Sequence, residues 1–285
     1  MASAKASSKK HSFTPMVHTY LRMDNRFPHV WCPGCGIGIL FAALIHALHE
    51  LNIPKDKILL ASGIGCTSRM PGYLDTDTFH VLHGRALAAA TGVKLARPDM
   101  EVIVVGGDGD MLAIGGNHFI HAARRNIGIT CIVLNNYNYA MTGGQQSPTT
   151  PRDMFATTAP YGAIDDPADA CSLAAASGAA FVARTTTYNF VQLKRFVKTA
   201  LARKGFRLIE VVAQCPTIFG RLNRMPATKD LITWIKGHTV TLEAAKKMDA
   251  DELRDKIVTG VFVDREVEEY SDRYARLIKK VRNAH

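Results

Sequence analysis

The sequence predicts an α/β fold: a parallel sheet with helices on both faces, followed by a C-terminal helical arm. Three observations carry this. Short runs at 58–61, 101–105, 129–134, 181–183 and 208–212 are almost continuously apolar, the pattern of strands covered on both faces. Helix-length segments separate most of these runs, as parallel strands require. The two strongest runs, 101–105 and 129–134, lead into Asp108-Gly109 and Asn135-Asn136, polar groups at the carboxyl ends of strands, where ligands bind in open parallel sheets.

Taken in order, 37–51 is an apolar helix candidate and 58–61 a short buried strand. The strand runs into a glycine-rich loop at 62–69, which holds Gly65, Cys66 and Arg69. A further strand is expected at 79–82, then a helix of small residues at 86–95, suited to close packing. After the strands at 101–105 and 129–134, helices at 168–179 and 190–202 alternate with strands at 181–183 and 208–212. Past Cys215 the character changes: residues 216–238 carry Pro216, Gly220, Pro226 and Gly237 with little periodicity, and the chain from Leu242 onward is charged and expected to be helical. No internal repeat is visible. The expected organisation is a disordered N-terminus at 1–15, one domain at 16–220 and a C-terminal arm or tail at 221–285.

A chain of 285 residues with 47% hydrophobic composition can bury one large core. Its formal charge of +10 is patchy, with Lys5, Lys9 and Lys10 in an Ala/Ser/Lys-rich stretch. No nucleic-acid motif accompanies the charge, so a solvated surface or a docking face for an acidic partner accounts for it better. No signal-peptide core and no membrane-length apolar run is present, so no membrane partner and a cytoplasmic location are expected. Six cysteines in such a chain point to metal or redox use rather than structural disulfides.

The segment from Gly106 to Asn138 has the makings of a metal and diphosphate site. Mg²⁺ favours hard oxygen ligands and usually pairs carboxylates with substrate phosphates. Asp108 offers a carboxylate and Asn136 a side-chain oxygen, while Gly107 and Gly109 let the backbone approach phosphate oxygens closely. The helix expected after Gly115-Gly116 can offer its N-terminus to the same anion. The glycines do not make a dinucleotide fingerprint. The run resembles the thiamine-diphosphate motif GDG…NN, and that resemblance implies metal ligation by Asp108, Asn136 and the main-chain carbonyl of Asn138.

Cys32 and Cys35 form a C-x-x-C pair in a loop rich in Pro and Gly, Cys66 lies in the glycine-rich loop, and Cys215 follows a strand. Thiolates in loops can converge, and four of them suit an iron–sulfur cluster or a structural Zn²⁺ equally well by spacing. Cys131 and Cys171 fall inside regular elements and read as packing residues. A zinc-stabilised basic interaction protein without catalysis is the rival reading from a different class.

With the cysteines and the thiamine motif together, the chain resembles the β subunits of the 2-oxoacid:ferredoxin oxidoreductases. The matching pieces are WCPGCG at 31–36, GIGCTSR at 63–69, HGRALAAATGVKLA at 83–96, GGDGDMLAIGGNH at 106–118, NNYNYAMTGGQ at 135–145 and CPT at 215–217. They cover most of residues 28–220 in the expected order. The resemblance implies a thiamine-diphosphate-binding fold, Mg²⁺, and one 4Fe–4S cluster on Cys32, Cys35, Cys66 and Cys215. It places Gly65, Gly107, Asp108, Gly109, Asp110, Asn136, Asn138 and Thr142 at the thiamine cofactor, and His83 beside it. Arg69 is a candidate cation for an anionic substrate.

The implied reaction is a reversible, coenzyme A-dependent oxidative decarboxylation of a 2-oxoacid, with ferredoxin as electron acceptor. The Trp31–Gly36 motif looks more like the 2-oxoglutarate members than the pyruvate ones. A non-redox thiamine enzyme with a Cys₄ zinc site is the alternative. Thiamine enzymes also need a glutamate from a separate pyrimidine-binding domain, and none is visible in a matching context. An obligate α subunit, in a heteromer such as (αβ)₂, is therefore expected.

Overall fold

Strand β1 (Ile58–Ser62) lies between β2 (Asp77–His80) and β3 (Glu101–Gly107), and β4 (Ile129–Asn135) follows β3, all parallel. The computed structural model describes residues 19–22 and 27–284, so the N-terminal stretch at 1–15 lies outside the described residues. Strand β8 (Arg207–Val212) adds in parallel to β4, and β7 (Phe181–Thr186) adds in parallel to β8. With β9 (Thr239–Thr241) and β10 (Ile257–Asp264), the main sheet among the described residues has eight strands in the order β2-β1-β3-β4-β8-β7-β10-β9.

Burial on both faces explains the apolar runs. Ile103 and Val105 of β3 pack on one side with α1 (Ile37–Glu50), which buries Leu40, Leu44 and Leu48 at helical spacing. Val102 and Val104 face the other way, onto α2 (Ala86–Ala96) and α3 (Gly116–Arg124). Helix α4 (Ala170–Ser177) joins that second face, and α5 (Phe190–Leu201) joins the first. Asp169 caps α4 by accepting from the Ser172 N–H, and Gly178 ends it at φ 101°. A small hairpin, β5 (Asn138–Tyr139) with β6 (Gln145–Gln146), projects beyond the end of β4.

Three parts differ from expectation. Strand β2 begins two residues earlier than 79–82, because Asp77 and Thr78 pair with Leu59 and Leu60 at the sheet edge. The 216–238 stretch is not irregular: it opens with a π-helical turn at Pro216–Gly220 and ends in α6 (Thr228–His238). Only Leu231 and Ile235 of α6 are buried, too thin an apolar stripe to stand out among Pro and Gly. A C-terminal helix is present as α7 (Tyr270–Arg282), but the arm before it is not helical throughout. Strand β9 (Thr239–Thr241) leads to β10 (Ile257–Asp264), whose β-branched run pairs antiparallel with β7 and parallel with β9.

That tail is fastened to the main sheet. Asn126, at φ 52°, accepts from the Phe206 N–H at 2.8 Å and donates to the Glu268 carbonyl at 3.1 Å. Arg203 grips Asp264 with two bonds of 2.8 and 2.9 Å. No helix among the described residues is long and apolar enough to cross a membrane.

The core sets a first test. Phe119 is fully buried against Phe206, with ring centroids 5.8 Å apart. Phe119→Ala is expected to destabilise the fold by about 3–5 kcal/mol, read from denaturant unfolding.

Candidate active site

The carboxyl ends of β1, β3, β4 and β8 share one edge of the sheet, with Gly107 opposite Leu134 and Asn135 opposite Val212. The loops leaving those four ends carry Cys66, Asp108, Asn136 and Cys215. Sheet topology thus brings two of the four loop cysteines beside Asp108 and Asn136, while Cys32 and Cys35 come from the loop before α1.

Asp108 directly follows β3 and is 1% exposed. Its Oδ2 accepts from the Ser147 hydroxyl at 2.7 Å and lies 2.5 Å from the Thr149 hydroxyl. Burial nevertheless pushes its carboxyl up to about 6, against the lowering effect of those hydroxyls. The other oxygen faces Asn136. One atom of the Asn136 carboxamide sits 3.2 Å from Asp108 Oδ1 and 2.9 Å from the main-chain oxygen of Asn138. With nitrogen at that corner the amide donates to both. With oxygen there, three oxygens face one another and a hard cation is the group that fits among them.

Asn138 Oδ1 is also buried without a partner. The donor set therefore fits a divalent cation. Among the described residues no three His, Cys, Asp or Glu side chains are placed to hold a single metal ion. The oxygen set is of another kind, with one carboxylate, one carboxamide and one main-chain carbonyl.

A cleft of about 90 Å³ lies over these oxygens, walled by Gly65, His83, Gly107, Asp110 and Thr142. Nothing lies within 4 Å of the place a Cβ would take at Gly65 or Gly107, so both glycines leave open space there. At Gly109 a Cβ would lie 2.2 Å from the Tyr139 ring, so only glycine fits. The first helical turn past β3 is not the one expected after Gly116 but a π-helical turn at Gly109–Ile114, which starts directly at Asp108.

Asp110, expected at the cofactor, staples three loops. Its Oδ1 accepts from the Gly84 N–H at 2.7 Å and the Ile64 N–H at 3.2 Å, and lies 2.5 Å from His83 Nδ1. His83 is thereby held at the cleft wall, edge-on to Tyr139. Thr142 sits on the exposed turn between β5 and β6, hydrogen-bonded to Gln145 at 2.6 Å.

The four loop cysteines line one neighbouring cavity of about 760 Å³, with Arg69 at its wall. Cys66 and Asn136 line both this cavity and the oxygen cleft, so the two abut. The Trp31 indole donates to the Cys66 carbonyl at 2.8 Å, and the Gln214 side chain donates to the Gly34 carbonyl at 3.1 Å. Burial first, and the neighbouring thiols after it, push Cys35 up to about 12. Burial likewise pushes Cys66 up to about 11, with Cys215 and Cys32 adding to it and Arg69 opposing. Such thiols ionise readily only beside strong positive charge, which bound iron or zinc supplies. Cys131 and Cys171 are buried in β4 and α4, and the Cys171 thiol donates to Glu210 Oε2 at 3.5 Å.

Residues 63–211 match the family described as thiamine pyrophosphate enzyme, C-terminal TPP binding domain. The 2-oxoglutarate synthase subunit KorB of Methanocaldococcus jannaschii is 50% identical over 93% of this chain and 97% of its own. The same-named subunit of Methanothermobacter marburgensis is 47% identical over 92% and 91%. Among solved structures, the 2-oxoglutarate:ferredoxin oxidoreductase of Magnetococcus marinus superposes with a TM-score of 0.83 at 32% identity, covering 95% of this chain and 92% of that one. This chain belongs to the family of 2-oxoacid:ferredoxin oxidoreductase β subunits.

Family membership extends through the C-terminal arm, since the solved relative covers nearly the whole chain. Sequence reasoning missed Ser147 and Thr149, which hold Asp108. They lie about forty residues downstream in a Ser-Pro-Thr-Thr loop, with no pattern to tie them to it.

The C-x-x-C loop gives a sharp test. Gly34 adopts φ 77°, and a Cβ there would lie 2.0 Å from Thr228 Oγ1 on α6. Gly34→Ala is expected to cost at least about 1–2 kcal/mol from left-handed strain alone. In the metal-free chain it should also speed alkylation of Cys35 relative to wild type, measured by mass spectrometry.

Proposed function

We propose that this chain is the β subunit of a 2-oxoglutarate:ferredoxin oxidoreductase that holds the diphosphate end of thiamine diphosphate, its Mg²⁺ and one 4Fe–4S cluster. One observation carries the reading: an oxygen triad fit for a divalent cation shares a wall with a cavity ringed by four cysteines.

In this reading Asp108, the Asn136 side chain and the Asn138 carbonyl hold Mg²⁺. Gly107 admits the diphosphate against the main chain, Gly109 lets the Tyr139 ring pack closely beside the site, and Gly65 leaves room next to it. When bound, thiamine diphosphate supplies the electron sink that lets a 2-oxoacid lose CO₂. Asp110 orients His83 at the cofactor, and Arg69 offers a guanidinium to an anionic group. Cys32, Cys35, Cys66 and Cys215 hold the cluster that takes the electrons toward ferredoxin. Four cysteines lining one cavity suit either a lone zinc or a polynuclear core; the oxidative thiamine chemistry, which needs somewhere to put electrons, favours the iron–sulfur cluster.

The relatives are named as subunits, which supports a partner α subunit that contributes the activating glutamate and much of the substrate pocket. The solved relative was determined with 2-oxoglutarate, coenzyme A and succinyl-CoA, which favours that substrate pair over pyruvate here. A cytoplasmic location accords with this chemistry.

Anaerobically isolated protein is expected to be brown and to contain iron and acid-labile sulfide. Colourless protein with one zinc per chain would overturn the redox assignment. The assembled complex is expected to reduce a viologen dye with coenzyme A and 2-oxoglutarate faster than with pyruvate. The polypeptide purified alone should show no turnover in that assay, and full activity from it would refute the shared site.

A further inference from the structure

Glu210 and Arg184 are a buried ion pair that none of the roles above uses. They lie opposite each other on β8 and β7, at 1% and 8% exposure, in a sheet covered on both faces. A buried pair is often no more stabilising than apolar residues of the same size, so its presence asks for a reason.

The hydrogen bonds supply one. Arg184 Nε donates to Glu210 Oε2 at 2.7 Å, and Arg184 Nη2 lies 2.9 Å from Asp169 Oδ1. The cation is thus countered twice, and Glu210 keeps Oε1 free to accept from Asn135 Nδ2 at 2.8 Å. Asn135 is the last residue of β4. With its nitrogen held by a carboxylate, its amide has one orientation, and its oxygen accepts the Tyr137 N–H at 3.2 Å.

Tyr137 is in the left-handed region at φ 64°, unusual for a bulky residue and in need of an anchor. Its turn folds the chain back so that the Asn136 carboxamide meets the Asn138 main-chain oxygen at 2.9 Å. Asn135 Oδ1 also lies 2.9 Å from the Thr149 hydroxyl, whose oxygen is 2.5 Å from Asp108 Oδ2. One chain of contacts therefore runs from the exposed Asp169 through the buried Arg184, Glu210 and Asn135 to both sides of the oxygen triad.

We infer that Glu210, held by Arg184, is a positioning residue: through Asn135 it sets the turn at Tyr137 and with it the geometry of the divalent-cation site. This rests on the Mg²⁺ role proposed above. It also gives the first asparagine of the Asn135-Asn136 pair a task distinct from that of the second.

The test is Mn²⁺ uptake by the native complex with thiamine diphosphate, with free Mn²⁺ counted by electron paramagnetic resonance. Glu210→Gln, and separately the apolar pair Arg184→Met with Glu210→Met, are expected to weaken Mn²⁺ binding by about tenfold or more, the scale of losing an outer support of a metal site. The brown chromophore and the unfolding temperature of the apolar pair should stay near wild type, which separates positioning from stability. Asn135→Leu should give a similar loss, and adding Glu210→Gln to it should add nothing further. Mn²⁺ affinity unchanged in the Glu210 variants, or losses that multiply in the combination, would overturn the inference. If the wild-type complex itself takes up no Mn²⁺ with thiamine diphosphate, the Mg²⁺ reading falls and this inference with it.

Discussion

Parallel pairing of β1, β3, β4 and β8 is the constraint on which the site depends. Parallel strands joined by crossovers all finish at the same edge, so loops far apart in the chain emerge side by side. Cys66, Asp108, Asn136 and Cys215 are neighbours for that reason alone. The helices that make the crossovers then cover both faces, which is why the strands between them are apolar along almost their whole length. A single slipped register would carry Asp108 away from Asn136 and separate the oxygen cleft from the cysteine cavity.

Charge balance organises what that edge holds. The structure buries Asp108 and the Cys215 thiol, half-buries Cys35 and Cys66, and leaves Cys32 exposed; burial raises the Asp108 carboxyl and the Cys35 and Cys66 thiols. Every one of these groups is poorly placed in a site without positive charge and well placed beside a cation. In the proposed reading, a bound divalent metal and an iron–sulfur core would supply that positive charge. Glu210 and Arg184 follow a different logic, since they neutralise each other and leave one carboxylate oxygen as a fixed acceptor behind the Asn136–Asn138 turn.

Much of the fold was legible because burial on both faces leaves a strong local signature. The runs at 58–61, 101–105 and 129–134 each matched a strand to within two residues. Edges and tails were less legible. Strand β2 is mostly exposed and its pairing begins at Asp77, where the sequence is polar. Strand β10 and helix α6 bury little, so they carry weak periodicity between charged and breaker residues. The π-helical turn after Asp108 left no sign, because its glycines served equally well to predict a loop.

The sequence by itself determined the family and the residue types of the candidate site: the carboxylate and carboxamide after two strands, and the four loop cysteines. Those are properties of residue type and spacing, which local pattern records. Only the tertiary structure decided how the groups are held. It turned Asp110 into a staple for Ile64, Gly84 and His83. It brought Ser147 and Thr149 onto Asp108, and it lined Asn135, Glu210 and Arg184 into one buried chain. Those contacts join residues from 26 to 75 positions apart, and their partners are chosen by strand order and register, which no local stretch of sequence contains.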